Sequence, residues 1–266
     1  ARGETLTLTY TVRATDSNAD SNTLAAYHER TVIVTITGTN DAPVIAVGSG
    51  NSASAGLTET NSTLTAGGTL SVEDLDYSNT VTASVQSVVA TGTTAGILSN
   101  NAALQSMLSV TTGSVISSTA TTGTITWTFN SATESFDYLA QGETLTLTYT
   151  VRATDSNNPS TFHEQTVVVT VTGTNDAPVI SISRGDSIAS GLAEQTSTFT
   201  AAGTLTVTDL DLSNTVATSV YQVTSSGTTS ASVPANGTLL GWLSVDSGNI
   251  ISSSTLTGKL NWAFQA

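Results

Sequence analysis

The strongest constraint on this chain is a long internal repeat. Residues 3–18 and residues 142–157 share the sequence GETLTLTYTVRATDSN at an offset of 139. Residues 38–45 and residues 173–180 share GTNDAPVI at an offset of 135. A period of this length corresponds to a whole domain rather than to one turn of a solenoid. The chain is therefore expected to be a tandem array of one module.

The phase of the repeat divides the chain into three parts. Residues 1–43 correspond to the C-terminal part of one repeat, residues 44–178 to a complete repeat, and residues 179–266 to the N-terminal part of a third. The offset of 135 persists in the third part, where Asp74-Leu-Asp76 matches Asp209-Leu-Asp211. We expect the chain to be an excerpt of a longer array.

Within a module, apolar residues alternate with threonine. Leu6, Leu8, Tyr10 and Val12 are separated by threonines, and residues 145–153 repeat the pattern. A period of two is typical of a strand with one buried and one solvated face. Several such segments, separated by clusters of Gly, Asn, Ser and Asp, predict an all-β fold of antiparallel β-sandwich modules of about 135 residues.

The two terminal parts lack the strands needed to close a sandwich. Residues 1–43 carry only the last two strands, whose apolar face needs a partner sheet, and residues 179–266 lack those strands. We therefore expect neighbouring copies of the repeat to meet head to tail, with the N-terminal strands of one chain completing the C-terminal part of the next. The simpler alternative is one continuous polypeptide that joins the same residues covalently.

Charge and composition exclude several classes of protein. The chain carries six Lys plus Arg against 20 Asp plus Glu, and its net charge is −14. Nucleic-acid binding needs clustered cations, so nucleic acid is not expected as a partner. No apolar run reaches the roughly 20 residues of a membrane span, so direct membrane insertion is not expected. The absence of cysteine excludes disulfides and thiolate metal sites.

The acidic residues gather where the predicted strands end. In the complete repeat, the strand of residues 145–153 has Asp137 before it and Asp155 after it. The next strand runs back and ends before Asn175 and Asp176. Carboxylates from neighbouring modules should therefore collect at the two junctions between the modules.

Each junction then combines oxygen-bearing side chains from both of its modules. Junction one is expected to contain Asn40, Asp41, Asp74, Asp76 and Asp155. Junction two is expected to contain Glu59, Asp137, Asn175, Asp176, Asp209 and Asp211. The few cations of the chain cannot neutralise these groups, and Ca²⁺ takes six to eight oxygen ligands. The pattern predicts calcium bound at the junctions; the alternative is a solvated surface on which loop carboxylates are simply exposed.

Three segments resemble a known family. GTNDAPVI, YTVRATD and FDYLAQGETLTLTYTV (residues 136–151) are similar to bacterial VCBS and related cadherin-like repeats, and the resemblance covers essentially the whole chain. Such repeats build the long repetitive regions of secreted RTX-type adhesins and biofilm proteins. The resemblance implies Ig-like or cadherin-like modules in an extracellular protein, secreted or on the bacterial cell surface.

The junctions are also similar to those of animal cadherins, in which an acidic linker, a Glu after the first strand and a D-x-D hold calcium. This resemblance implies ligand roles for Asn40, Asp41, Glu59, Asp74, Asp76 and Asp155. The pattern departs at Gly38 and Gly173, where the cadherin linker has its first Asp, and the linker here is one residue shorter. The number of ions per junction is left open.

Two classes of function follow. The first is a structural extender, or spacer, in which calcium-stiffened modules in series project a terminal adhesive domain and form an extracellular fibre. The second is an adhesive module that binds a glycan or a protein, with the loop of residues 19–27 as its candidate surface. Threonine-covered faces without an exposed aromatic patch favour the spacer.

An enzyme is not expected. Asp74 and Asp76 are the type of pair that a glycosidase uses, but they recur in each repeat and no aromatic cleft accompanies them. His28 and His163 begin strands, and their spacing to other residues assembles no catalytic triad. Inward phase places a set of aromatic residues in the core rather than in a sugar-binding groove: Tyr10, Trp127, Phe129, Tyr149, Trp262 and Phe264.

Overall fold

The computed structural model describes residues 1–17, 27–194, 196–227 and 233–266. Within these ranges the regular structure is almost entirely β-strand, as the threonine-rich and valine-rich sequence predicts. The two helices of the described residues are single short turns, α1 (Asn101–Ser106) and α2 (Asn236–Leu240). The prediction of an all-β fold is confirmed.

The N-terminal part of the chain is an isolated hairpin. Strands β1 (Thr5–Thr15) and β2 (Tyr27–Thr37) pair antiparallel, and no third strand of the described residues joins them. The apolar side chains of the hairpin are exposed, with Tyr10 at 51% and Val12 at 55% of full exposure. The prediction that Tyr10 is a core residue is therefore wrong for this structure, because no second sheet of the described residues covers the hairpin.

Residues 44–178 contain nine strands in two sheets. They are β3 (Val44–Ala46), β4 (Ser54–Thr58), β5 (Thr65–Glu73), β6 (Val81–Gly92), β7 (Leu108–Val110), β8 (Ser114–Ile116), β9 (Thr122–Asn130), β10 (Thr144–Asp155) and β11 (Phe162–Thr172). One sheet has the order β3–β5–β9–β7, and the other has the order β4–β11–β10–β6–β8. Every second residue of the long strands points into the space between the sheets.

The two sheets share one core. Trp127 and Phe129 of β9 and Tyr149 of β10 are fully buried. The rings of Phe129 and Tyr149, one from each sheet, meet edge to face with centroids 6.4 Å apart. Trp127 donates its indole N–H to Ser52 O at 2.7 Å, and Tyr149 donates its hydroxyl to a backbone carbonyl, so burial leaves neither polar group unpaired. These sheets form a β-sandwich.

One strand departs from the predicted antiparallel arrangement. β4 pairs parallel with β11, from Ser54 opposite Val168 to Thr58 opposite Thr172. The sequence suggested antiparallel pairs only, and that is wrong for this edge strand. The reason is that the chain passes from β3 in one sheet to β4 at the edge of the other, instead of turning back through a hairpin.

β10 lies in the middle of the five-stranded sheet and positions the acidic residues. It pairs with β11 on one side and with β6 on the other, with a β-bulge between Thr150 and Val151. The β6 pairing extends to Asp155, which lies opposite Val81. Asp155 therefore lies at the same end of the sandwich as the loop that connects β5 to β6, which contains Asp74 and Asp76.

The C-terminal part repeats half of this architecture. Its strands are β12 (Val179–Ser181), β13 (Thr200–Thr208), β14 (Val216–Ala217), β15 (Leu243–Val245), β16 (Asn249–Ile251) and β17 (Thr257–Gln265). Four of them form a sheet of order β12–β13–β17–β15, and β14 pairs with β16. The register matches the first sheet of the central sandwich at an offset of 135, since Thr65 faces Asn130 and Thr200 faces Gln265.

Candidate metal-binding junctions

At junction one, the linker between β2 and β3 is tied to acidic loops of the central sandwich. Asn40 donates its side-chain amide to Asp155 Oδ2 at 2.7 Å and to the hydroxyl of Thr161 at 3.2 Å. The backbone N–H of Asp41 donates to Asp76 Oδ2 at 2.8 Å. Four of the five residues predicted for this junction are therefore joined by direct contacts across the linker.

A tight turn after β5 orients the fifth residue. Asp74 Oδ1 accepts the backbone N–H of Asp76 at 3.0 Å, the local contact that Asp side chains form in Asx turns. Asp74 is 1% exposed, and its Oδ2 atom has no hydrogen-bond partner within the described ranges. Burial raises the pKa of Asp74, and the negative charges of Asp155, Asp76 and Asp41 add to that increase.

Asn79 connects the carboxylates of junction one. Its side-chain amide lies 3.2 Å from Asp155 Oδ2, 3.3 Å from Asp76 Oδ2 and 3.4 Å from Asn40 Oδ1. Asn157 in turn donates to Asn79 Oδ1 at 2.9 Å. The amide hydrogens supply part of the positive charge that the carboxylates require.

A cation also lies in junction one. The N-terminal ammonium of Ala1 is 3.1 Å from Asp76 Oδ1 and 3.1 Å from Glu4 Oε2. The hydrogen bonds to these two side chains raise the pKa of the ammonium group. Asp76 Oδ1 is thus an oxygen that faces a positive charge in this arrangement.

Junction two repeats the linker contacts one module further along. The backbone N–H of Asp176 donates to Asp211 Oδ2 at 2.9 Å, as that of Asp41 does to Asp76. Asp209 Oδ1 accepts the backbone N–H of Asp211 at 3.0 Å, which reproduces the turn of Asp74 and Asp76. The geometry of the two D-x-D segments is therefore the same.

Glu59 brings a further carboxylate to junction two. It follows β4 and is 1% exposed, and its backbone N–H donates to Thr172 O at 2.8 Å. Its side chain accepts hydrogen bonds from the hydroxyl of Thr174, at 2.7 Å, and from the backbone N–H of Asn61. The side-chain amide of Asn61 donates to Asp176 Oδ1 at 2.6 Å, which links Glu59 to the linker.

Two carboxylate oxygen atoms of junction two are buried without a hydrogen-bond partner among the described residues. Asp211 is fully buried, and neither its Oδ1 atom nor Asp176 Oδ2 has a hydrogen-bond partner in the part of the chain that the structure describes. Burial, with the nearby charges of Asp209, Asp176 and Glu59, raises the pKa of Asp211 to about 6, although the N–H of Asp176 opposes the shift. Asp211 Oδ1 corresponds to Asp76 Oδ1, the oxygen that faces the ammonium group in junction one.

The remaining two predicted residues lie beside this cluster. Asn175 Oδ1 is 3.4 Å from the side-chain amide of Asn214, which also donates to Asp211 Oδ2 at 2.9 Å. Asp137 has a buried Oδ1 atom without a hydrogen-bond partner among the described residues. The residue after it, Tyr138, accepts the backbone N–H of Leu212 at 3.2 Å, which places the Asp137 segment against the loop of Asp209 and Asp211.

The oxygen atoms at the junctions are of the chemical type that a hard cation binds, but they do not surround a common point. Carboxylate and amide oxygens are the ligands that Ca²⁺ selects. Within the described residues, no three His, Cys, Asp or Glu side chains stand together in a ready metal-holding geometry. Ligation would therefore require the acidic side chains to move closer together around the ion.

Sequence reasoning missed the amides and hydroxyls that hold these carboxylates. They are Asn61, Asn79, Asn157, Thr161, Thr174 and Asn214. A signal for two of them was present, because the third residue after each D-x-D is asparagine in both repeats, in DLDYSN and DLDLSN. The others lie in turns whose approach to the acidic loops depends on the packing of distant strands.

The other candidate residues of the sequence analysis do not belong to the two junctions. Trp127 and Phe129 are core residues, as predicted. His163 accepts the backbone N–H of Ile45 at Nδ1, at 3.2 Å, and so holds the start of β3. Most of the loop of residues 19–27, the candidate adhesive surface, lies outside the described residues.

Comparisons with known proteins found similarity to solved structures alone. No protein-family model and no curated protein matches the chain. Among solved structures, it is similar to an ASH/PapD-like domain of human CEP192, at 11% identity and a TM-score of 0.31, over 52% of this chain and 89% of that one. It is also similar to the CooA pilin subunit of enterotoxigenic Escherichia coli, at 14% identity and a TM-score of 0.34, over 50% and 99%. We draw neither fold nor function from likenesses at these scores.

One finding bears on the membrane expectation. None of the helices within residues 1–17, 27–194, 196–227 and 233–266 has the length and apolar character to cross a lipid bilayer.

Proposed function

We propose that this chain is part of the extender region of a secreted or cell-surface bacterial adhesin. In this proposal, VCBS or cadherin-like β-sandwich modules of about 135 residues follow one another end to end, and Ca²⁺ at each junction fixes the angle between them. The observation that carries the proposal is the equivalence of the two junctions. In each of them, a linker N–H and a buried D-x-D meet, and carboxylate oxygens are left without a hydrogen-bond partner among the described residues.

The modular part of the proposal is supported by contacts that recur at an offset of 135. Val44 faces Glu73 in the central part, and Val179 faces Thr208 in the C-terminal part. The indole N–H of Trp262 donates to Ser187 O at 2.7 Å, as the indole of Trp127 does to Ser52 O. Equal registers and equal indole contacts are what repeated copies of one module produce.

The calcium part is supported by the cost of the metal-free arrangement. A buried carboxylate without a partner is expensive, and like charges nearby add to that cost. Asp74 and Asp211 both have this environment. A divalent cation that binds these oxygens in the folded protein would remove the cost and stabilise the fold by mass action. A cation bound between a linker and the next module would also restrict bending between the two modules at that junction.

The proposal gives the chain no enzymatic role. Asp74 and Asp76 would have to face a substrate to act as a glycosidase pair, yet they are 1% and 4% exposed and face the linker. In the central sandwich, Trp127 and Phe129 are completely buried and offer no binding platform to a glycan. The spacer explains more of the described residues than either alternative does.

Junction two offers the sharper test, because Asp211 Oδ1 and Asp176 Oδ2 are both buried there without a hydrogen-bond partner among the described residues. The protein is titrated with CaCl₂ after treatment with EDTA, and melting temperature and small-angle scattering are recorded. We expect calcium to raise the melting temperature, because a ligand at a hundredfold excess over its Kd adds about 2.7 kcal/mol to the free energy of unfolding. Scattering should show a narrower distribution of end-to-end lengths of the protein.

Two variants separate the junction from general charge effects. Asp211→Asn removes a proposed ligand while keeping the shape of the side chain, and it should reduce the calcium-induced change. Asp246→Asn is the matched control, since Asp246 accepts hydrogen bonds from Asn261 on the sheet and lies outside the proposed sites. The proposal is wrong if calcium changes neither melting nor scattering, or if both variants reduce the response equally.

A further inference from the structure

At junction two, the loop that follows β13 makes a contact with the central sandwich that involves no carboxylate. Leu212, the residue after Asp211, packs its side chain against the buried apolar core of the central sandwich. Its backbone N–H donates to Tyr138 O at 3.2 Å. We call this pair of interactions the Leu212 contact. Apolar packing and a hydrogen bond between two backbone groups need no cation, so the Leu212 contact does not depend on metal.

The central sandwich holds the other side of this contact firmly. Tyr138 is 6% exposed, and it donates its hydroxyl to Thr93 O at 2.7 Å. Its ring lies so close to Gly96 that a Cβ atom at that glycine would be 2.2 Å from the ring. Tyr138 is therefore fixed at its ring and at its hydroxyl, and its carbonyl oxygen offers the N–H of Leu212 an acceptor in a defined position.

The turn that contains Tyr138 is also determined by the core. Phe136 has a φ of 65°, which is rare for a bulky residue, and its side chain is 1% exposed. The backbone N–H of Leu139 donates to Phe136 O at 3.0 Å and closes the turn. Burial of the phenylalanine ring stabilises a backbone conformation that would otherwise be unfavourable. The turn thus has one shape as long as the central sandwich is folded.

The linker between the two modules begins against the same segment. A Cβ atom at Gly173 would lie 2.1 Å from Leu139 O and 2.4 Å from Ala140 O, so a larger residue does not fit there. The backbone N–H of Gly173 donates to Glu143 O at 2.9 Å. Residues 136–143 therefore contact both the start of the linker and, through Leu212, a loop of the next module. Two separated points of attachment restrict rotation about the linker.

We propose that the Leu212 contact is a metal-independent joint that selects the angle between the two modules. Leu212 is then a positioning residue for the acidic cluster as well. Asp211 comes directly before it, and its Oδ2 atom accepts the linker N–H of Asp176 at 2.9 Å. The joint itself requires no bound ion, whereas its effect on calcium affinity rests on the proposed function.

The first experiment measures the distance between the modules without metal. The chain contains no cysteine, so Ser118→Cys and Ser253→Cys provide two unique sites for spin labels. These serines are exposed and occupy equivalent positions at an offset of 135. In EDTA, pulsed electron paramagnetic resonance should give one narrow distance distribution for the doubly labelled protein.

Three variants of the labelled protein test the role of Leu212. Leu212→Ser should broaden the distribution, because it removes the apolar contact and keeps every proposed metal ligand. Leu212→Met retains an apolar side chain of similar volume and should keep the distribution narrow. Leu210→Ser is the matched control, since the same change is made two residues earlier, at a leucine that is 43% exposed.

The C-terminal apolar cluster should stay folded in these variants. Its buried members include Val207 and Ile251, and Leu212 packs against the central core instead. An unchanged circular dichroism spectrum of Leu212→Ser would show that a broader distance distribution reports motion between modules rather than unfolding.

The second experiment titrates the same variants with CaCl₂ by calorimetry. The site at junction two is identified as the one that Asp211→Asn removes. If the Leu212 contact positions Asp211, the apparent Kd of this site should rise by the factor by which the fraction of the narrow distance population falls. Leu210→Ser and Leu212→Met should leave the Kd unchanged.

Several results would overturn the joint. They are a broad distribution in EDTA before any change at Leu212, a distribution that Leu212→Ser leaves narrow, and equal broadening by Leu210→Ser. Calcium binding at junction two combined with any of these results rejects the joint and leaves the proposed function standing. A narrow distribution that Leu212→Ser broadens, in a protein that binds no calcium, supports the joint and rejects the proposed function.

Discussion

The hairpins β1–β2 and β10–β11 have nearly identical sequences but lie in two different environments. Their strands pair in the same register, and in each an arginine lies over the aromatic ring at the start of the second strand, at 4.0 Å for Arg13 and 3.9 Å for Arg152. Yet Tyr10 is half exposed and Tyr149 is completely buried. The pairing and the cross-strand contacts are therefore local properties, whereas burial depends on the sheet that faces the hairpin.

The two copies of the D-x-D turn, one at each junction, allow a second comparison between repeats. Asp74 and Asp209 form the same backbone contact with the second Asp of their motif. In each copy, the second Asp also accepts the backbone N–H of a linker Asp at its Oδ2 atom, at 2.8 Å at junction one and 2.9 Å at junction two. The repeated sequence thus reproduces both the turn and the linker contact at the two junctions.

The largest expected difference between the hairpins concerns their tyrosines. Tyr149→Ala should lower the free energy of unfolding by about 3–5 kcal/mol, because it leaves a cavity in the core and removes the hydrogen bond to Leu104 O. Tyr10→Ala should change it by less than about 0.5 kcal/mol in dilute, unassembled protein, because Tyr10 is exposed. Urea unfolding of both variants measures the difference, and similar losses would contradict the environment argument.

A smaller difference is expected at two glycines that pack against tryptophan. A Cβ atom at Gly68 would lie 2.7 Å from the ring of Trp127, and one at Gly203 would lie 2.5 Å from the ring of Trp262. Trp127 is enclosed, so Gly68→Ala should cost about 1–3 kcal/mol of stability.

Gly203→Ala should cost less, because Trp262 borders an open apolar groove in residues 179–266 and has room to move. Thermal unfolding followed by tryptophan fluorescence separates the two cases, and a cost for Gly203→Ala as large as that for Gly68→Ala would show that the groove gives no such freedom.

The buried carboxylate of Asp211 leads to a prediction about pH. In metal-free protein the pKa of Asp211 is raised to about 6 from an ordinary value of 3.8, so the folded state binds more protons than the unfolded state between these values. The free energy of unfolding should therefore rise as the pH falls from above 6 towards 4. Asp211→Asn should flatten this dependence, and carboxyl NMR of Asp211 should give a midpoint near 6.

An unchanged pH slope in Asp211→Asn would mean that another group causes the dependence. With calcium present, the ion competes with the proton for the carboxylate, so affinity at junction two should fall as the pH drops through about 6. Calorimetric titration on both sides of this pH checks the sign.

The smallest effect is expected at the ion pairs of the hairpins. Glu29→Gln and Glu164→Gln each remove one member of an arginine pair with an N–O distance of 2.6 Å, both near the surface. Each should cost no more than about 1 kcal/mol, and less in high salt, because solvent screens such pairs. A large loss of stability in Glu164→Gln but not in Glu29→Gln would show that the sheet facing β10–β11 strengthens the Arg152–Glu164 pair. The pair would then not be a purely local contact.

Much of the candidate site was accessible from the sequence. The repeat aligned Asp74 and Asp76 with Asp209 and Asp211, and strand periodicity placed Asp155 at the same end as the first pair. The amides that hold them were not predicted, apart from the signal at Asn79 and Asn214. Side-chain amides in loops are common, and their contacts depend on how distant turns approach each other.

The sequence by itself determined the alternation of buried and solvated side chains, the hairpin registers and the repeated acidic turns. These depend on backbone geometry and on residues close along the chain. Only the tertiary structure decided that β4 runs parallel to β11, that Tyr149 is buried while Tyr10 is exposed, and that Asp211 Oδ1 has no hydrogen-bond partner among the described residues. Burial and charge balance depend on groups far away in sequence, so the same residues acquire different properties where the neighbouring sheet is present and where it is missing.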